Sequence, residues 1–232
     1  MMELFEYLKG NTYPGRGILI GKGGEDGNTT VTAYFIMGRS INSRNRIFEA
    51  TSDGIRTKAF DESKCVDPSL IIYSPVRRFE NKLIVTNGDQ TDTIHEALSR
   101  GGSFESALMT REFEPDAPNF TPRISGISDE NGYELSILKT VPGENRGKKS
   151  IRCFYCYDFE RGIAHIIHTY EHDGEPIPTF EGEPRRFALP ELPIDDFALG
   201  LWNSLDKENR VSLFVRYTEN GRENTKIINK QN

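Results

Sequence analysis

From residue 17 to residue 86 the chain is cut into apolar runs too short to be helices. The runs 17–21, 31–37, 46–50, 55–60, 70–76 and 82–86 are rich in Ile, Val, Tyr and Phe, and Gly, Asn and Asp stand between them. β-Branched and aromatic residues in runs of this length suit a pleated surface, and the residues between them suit hairpin turns. The pattern changes at Asn87. Asp92 is placed to cap a helix carrying Ile94, Ala97 and Leu98 on one side, and Ser103 to open a second with Phe104, Ala107 and Leu108. Strands resume at 123–127 and 133–140, and 151–158 with 163–170 reads as a hairpin turned at 159–162. A short helix over 4–9 begins the chain, a longer one over 194–205 buries Phe197, Leu201 and Trp202, and two strands end it. Strands that outnumber helices and come in blocks predict an α+β fold with mainly antiparallel sheets. The segments 142–149 and 171–184 read as loops, the second as a surface excursion rich in Pro, Gly and Glu. Neither separates two units, so 1–232 reads as a single domain.

The formal net charge of −6 argues against a general nucleic-acid binder, which needs a basic face to displace counterions. No apolar run approaches the roughly 20 residues of a membrane span. The start, MMELFEYLKGNTYPGRG, lacks the basic, apolar and small-residue regions of a secretory signal. Three cysteines make no disulfide framework. The expectation is a cytoplasmic protein without nucleic-acid or membrane partners, whose strands can support contacts between copies of itself.

Local charge tells a different story. AYFIMGRSINSRNR (33–46) runs from a strand into Arg39, Arg44 and Arg46 with no acidic residue between them. TNGDQTDTI (86–94) leads from a strand into a helix start, where small polar groups and backbone N–H gather. FEPDAPNFTPRISG (113–126) sets Glu114 and Asp116 shortly before Asn119, Thr121 and Arg123. All three lie at element ends, where sites commonly assemble. Other candidates fall away. Cys153 and Cys156, like His165 and His168, are three apart in apparent strands, so each pair faces opposite sides and does not converge on a metal. GKGGEDGN (21–28) lacks Walker spacing and reads as a hairpin turn, and no G-x-S-x-G elbow is present.

Taken together, YPGRG, AYFIMGRS…NR, the tyrosine of IIYS, TNGDQTDTI and FEPD…NFTPRISG resemble the archaeal-type IMP cyclohydrolase family, in its order, from about Tyr13 to Ile127. The resemblance implies a four-layer αββα sandwich like that of N-terminal nucleophile hydrolases. It implies closure of 5-formamidoimidazole-4-carboxamide ribotide to IMP with loss of water, and no metal or organic cofactor. Met1-Met2-Glu3 offers no terminal Ser, Thr or Cys, in keeping with a cyclisation that needs no acyl-enzyme. Matched by motif, Arg46, Tyr73 and Glu114 are the implied catalytic residues. The run from Arg39 to Arg46 is two residues longer than in archaeal members, so Arg44 competes with Arg46 for its role. Phe120 interrupts the family's Asn-Thr-Pro-Arg, which bears on Asn119.

The chemistry gives each group a task. An arginine suits the charge that develops on the departing oxygen, a carboxylate the amide proton, and a phenol the relay or donation of a proton. Arg39, with Arg123 and the start of the helix that Asp92 caps, suits the ribose phosphate. Ser40, Asn87, Thr91, Asp92, Asn119 and Thr121 complete the expected substrate contacts. The alternative is a purine ribotide- or nucleotide-binding protein of the same fold without turnover.

Overall fold

The computed structural model describes residues 3–64 and 72–231. Two antiparallel sheets dominate it. The first has six strands, β1 (Arg16–Gly23), β2 (Thr29–Met37), β10 (Ile163–His168), β11 (Arg185–Ala188), β12 (Arg210–Glu219) and β13 (Arg222–Asn229), in the order β11-β10-β1-β2-β12-β13. The second has seven, β3 (Arg46–Ala50), β4 (Gly54–Ala59), β5 (Val76–Phe79), β6 (Lys82–Thr86), β7 (Arg123–Ser128), β8 (Gly132–Thr140) and β9 (Ser150–Asp158), in sequential order.

Alternation along the strands divides the core into layers. Ile18, Ile20, Tyr34 and Ile36 of the first sheet pack against Phe48, Ile55, Val76, Val85 and Ile124 of the second. The odd-numbered neighbours Leu19, Ala33 and Phe35 face away, toward α1 (Leu4–Lys9) and α5 (Ile194–Ser204), which cover them with Leu4, Leu8, Phe197 and Leu201. On the outer face of the second sheet, Ile84 and Leu138 meet Ile94, Phe104 and Leu108 of α3 (Gln90–Ser99) and α4 (Phe104–Leu108). Strands buried on both faces read as continuous apolar runs, which is why β2 looks uniformly hydrophobic. The sheets are stitched at one edge, where Phe48 N–H donates to Asn229 Oδ1 (2.8 Å) and Asn229 Nδ2 to the Phe48 carbonyl (3.1 Å).

Several local expectations change. The stretch 151–158 and 163–170 is no hairpin: β9 pairs with β8, whereas β10 pairs with β1 and β11. The intervening turn crosses between sheets, fastened to the β1–β2 turn by Gly162 N–H to the Gly27 carbonyl (2.9 Å) and Arg161 to the Asp26 carbonyl. Asp89, not Asp92, occupies the N-cap position of α3; Asp92 lies in the first turn and bonds Arg77 (2.8 Å). Ser103 caps α4 as expected, accepting from Ser106 N–H. Of the expected strand 70–76, residues 70 and 71 lie outside the described residues, and β5 begins only at Val76. The segment 171–184 is anchored rather than free, because Ile177 and Phe180 are buried and Lys139 Nζ donates to the Phe180 carbonyl (2.7 Å). Among the described residues no helix is long and apolar enough to cross a membrane.

Candidate active site

The strand alternation that builds the middle layer also gathers a cluster of polar groups at its end. On β1, Arg16 lies two residues before Ile18 and shares its face; on β3, Arg46 lies two before Phe48 and shares its face. Both guanidinium groups therefore enter the space between the sheets. Gly15, at φ +79°, makes the turn into β1, and a Cβ there would lie 2.2 Å from Thr169 Oγ1. Gly38 admits the short α2 (Ile41–Arg44), whose Ser43 packs where a side chain on Gly38 would stand.

Arg46 is completely buried. Its Nε donates to the Ser43 carbonyl (2.8 Å), but Nη1 and Nη2 have no hydrogen-bond partner among the described residues. Burial and the neighbouring Arg16 guanidinium press its pKa below the ordinary arginine value, with Tyr73, Tyr34 and Tyr13 acting in the other direction. For Arg16, burial also disfavours the charge, but Glu114 with Tyr170, Tyr73 and Tyr13 outweighs it and the pKa rises. Glu114 answers from the loop before β7. Burial pushes its carboxyl above the usual glutamate value, against the pull of Arg16, Arg123 and Arg46. Tyr73 is buried beside them, its hydroxyl 2.9 Å from that of Tyr34. Arg46, Tyr73 and Glu114, far apart in sequence, therefore share one electrostatic neighbourhood with Arg16.

The Glu114 loop is shaped by its own polar groups. Asp116 Oδ1 accepts from Thr121 N–H (2.6 Å), Asp116 also accepts from the Thr121 hydroxyl, and Glu114 N–H donates to the Thr121 carbonyl (2.8 Å). Thr121 Oγ1 meets Tyr170 Oη at 2.6 Å, and Tyr170 stacks on Tyr13 with 5.8 Å between ring centroids. Arg39 lies over the Tyr13 ring at 5.2 Å and pairs with Asp173 (2.6 Å), so it reaches the rim of this group.

Sequence comparison bears on the same residues. The family described as "IMP cyclohydrolase-like protein" matches residues 13–222. This chain belongs to that family. Relatives named IMP cyclohydrolase include one from Methanopyrus kandleri, 34% identical over 127 residues that cover 53% of this chain and 62% of the relative. One from Haloquadratum walsbyi is 28% identical over 125 residues, 52% of this chain and 59% of its own length. One from Methanothrix thermoacetophila is 27% identical over 212 residues, covering 82% of this chain and 98% of its own length. The first two matches thus span less than two thirds of the relatives they align with.

In this IMP cyclohydrolase-like chain the remaining expected contacts divide into two groups. Thr121 and Arg123 border this cluster; Arg123 Nη1 bonds Asp89 and Gln90 (both 2.7 Å) and its charge is felt at Glu114. Asn119 Oδ1 accepts from Ile177 N–H (3.3 Å), which ties the Glu114 loop to segment 171–184. Asn87, Thr91 and Ser40 are engaged in local structure. Asn87 Oδ1 accepts from Ile124 N–H and Gln90, Thr91 Oγ1 donates to the Gly88 carbonyl, and Ser40 caps α2. Arg44 is taken up by the Gly38 carbonyl (2.9 Å) and Asn209 (3.0 Å), whereas Arg46 turns inward. Arg16, Tyr13, Tyr34 and Tyr170 join the site without a sequence signal of their own for that role. Arg16 and Tyr13 lie in YPGRG and Tyr34 in AYFIMGRS, so their motifs were visible while their direction was not. Cys153 faces the middle layer and Cys156 bonds Glu134 on the other side (3.8 Å).

Proposed function

We propose that the chain is an IMP cyclohydrolase, closing 5-formamidoimidazole-4-carboxamide ribotide to IMP with release of water. The observation that carries this reading is the buried Arg46 guanidinium with two nitrogens that have no partner among the described residues. Such donors favour a ligand that brings acceptor atoms and negative charge between the sheets.

The carboxamide nitrogen attacks the formyl carbon, a C–N bond forms, and the formyl oxygen gains negative charge. Arg46, with Arg16 beside it, stabilises that oxygen in a site where little water dilutes the field. Glu114 removes a proton from the carboxamide nitrogen. Its carboxyl, raised by burial, is a stronger base than an exposed glutamate and better matched to neutral pH. Tyr73 supplies a proton to the oxygen; a second, from the formamido nitrogen, completes the water as the C–O bond breaks. Arg39 at the rim suits the ribose phosphate, once freed from Asp173. A base of raised pKa beside the cations favours turnover over a protein that only binds the ribotide.

The wider reading follows the same line. Helices on both outer faces of two stacked sheets support a four-layer αββα sandwich of the N-terminal nucleophile hydrolase type. A family match over 13–222 supports one domain. The test follows IMP formation from the formylated ribotide by absorbance. Arg46→Ala and Glu114→Gln each lower kcat by a factor on the order of 10² or more, and near-normal turnover in both rejects the assigned roles.

A further inference from the structure

Tyr34 is the least accessible phenol of the cluster around Arg46 and the proposed chemistry gives it no task. It lies mid-strand in β2, fully buried, its ring stacked on Phe48 with centroids 5.6 Å apart. Ile18 and Phe214 flank it as cross-strand partners, so its ring has one place to go, across the middle layer toward the second sheet. There its hydroxyl meets Tyr73, at 2.9 Å.

The backbone of Tyr73 is held separately. Its N–H donates to Thr57 Oγ1 (2.9 Å), and its carbonyl accepts from Thr57 N–H (2.8 Å) and Thr57 Oγ1 (3.0 Å). One strand of each sheet thus grips Tyr73, β4 at the main chain and β2 at the phenol.

The direction of the phenol–phenol bond follows from what surrounds it. A phenol has one hydrogen to give and lone pairs with which to accept. Among the described residues Tyr73 Oη is the one hydrogen-bond partner of Tyr34 Oη. The nearby Arg16 and Arg46 offer donors and no acceptor. Were Tyr34 to accept from Tyr73, its own hydrogen would be buried without an acceptor, which costs more than an unused lone pair. Tyr34 therefore donates. Burial, reinforced by Tyr73, also holds the Tyr34 hydroxyl well above the ordinary tyrosine pKa, so it keeps its hydrogen at any working pH.

We propose that Tyr34 is a positioning residue whose phenolic hydrogen is given to Tyr73, leaving the Tyr73 hydrogen free for the substrate oxygen. This rests on the cyclohydrolase reading and decides between two roles for Tyr73: a committed hydrogen donor rather than a two-way relay. As the C–N bond forms, the Tyr73 hydrogen passes to the oxygen while Tyr34 steadies the charge left on Tyr73 Oη. The proton that Glu114 takes from the carboxamide balances the transfer.

The test is a double-mutant cycle on kcat and KM with Tyr34→Phe, Tyr73→Phe and the pair. Tyr34→Phe keeps the ring and its packing. It lowers kcat by about tenfold with KM nearly unchanged, an interaction lost only in the transition state. In the Tyr73→Phe background the same change has no further effect. An equal loss in both backgrounds, or wild-type kcat in Tyr34→Phe, overturns the proposal. A neutron density map of the wild-type protein reads the bond directly, whether or not the variants fold or the wild type turns over. Deuterium on Tyr34 Oη aimed at Tyr73 supports the proposal, and the reverse orientation sinks it. A wild type without turnover defeats the cyclohydrolase reading alone, since the map still decides the bond.

Discussion

Arg46→Met should make the protein more stable and useless as a catalyst. The guanidinium is fully buried, beside a like charge on Arg16, and two of its three nitrogens have no acceptor among the described residues. Each buried unmade donor group costs about 1–3 kcal/mol. Against this stands one lost bond, Nε to the Ser43 carbonyl, worth about 1 kcal/mol or somewhat more for a charged donor. Methionine fills most of the volume with apolar atoms beside Phe48 and Tyr34. The net gain is about 2 kcal/mol, and for a chain of this size that is a rise in Tm of roughly 4–8 °C. Calorimetry of both proteins without ligand measures it. Saturating ribotide, at about 100 times Kd, should then stabilise the wild type by about 2.7 kcal/mol and the variant far less. A variant that melts several degrees below wild type would refute the reasoning, because it would make Arg46 a structural keystone and not a group held ready for ligand.

Arg39→Ala should raise KM and leave kcat nearly unchanged in the absorbance assay, since Arg39 sits at the rim over Tyr13; a fall in kcat alone rejects phosphate binding as its task. His168 is buried against Tyr7 and Phe180, and burial lowers its pKa to about 4. The unfolded chain, with histidine near 6.5, binds the proton first, so stability is full above that pH and drains away as pH falls toward 4. His165, also lowered to about 4, adds in the same direction; denaturant titrations of His168→Gln between pH 7 and 4 should show a shallower slope than wild type. Phe180→Ala should cost about 3–5 kcal/mol by denaturant unfolding, because this ring is fully buried; a loss below 1 kcal/mol would return segment 171–184 to a loose excursion.

The elements were legible where local chemistry sets them. Five- to nine-residue β-branched runs became β2, β3, β6 and β8, and Ser103 opened α4, because strand propensity and capping act over a few residues. Pairing was less legible. Nothing local separates a turn that closes a hairpin from one that crosses between sheets, so the residues at 159–162 suit either. The site shows the same division. Glu114 and Arg46 stood out as charge at element ends, but Arg16 and Tyr34 looked like ordinary strand residues until alternation was anchored to a particular layer.

The amino-acid order alone determined the strand-rich character, the mainly antiparallel α+β class, the arginine-rich run that ends at Arg46 and the likeness to a family. Only the tertiary structure decided that Arg44 is spent on Gly38 and Asn209 while Arg46 turns inward, and that Tyr34 reaches Tyr73 from the opposite sheet. The reason is physical. Propensity and charge belong to a residue and its near neighbours, whereas desolvation and the direction of a hydrogen bond belong to groups that meet only when two sheets close over them.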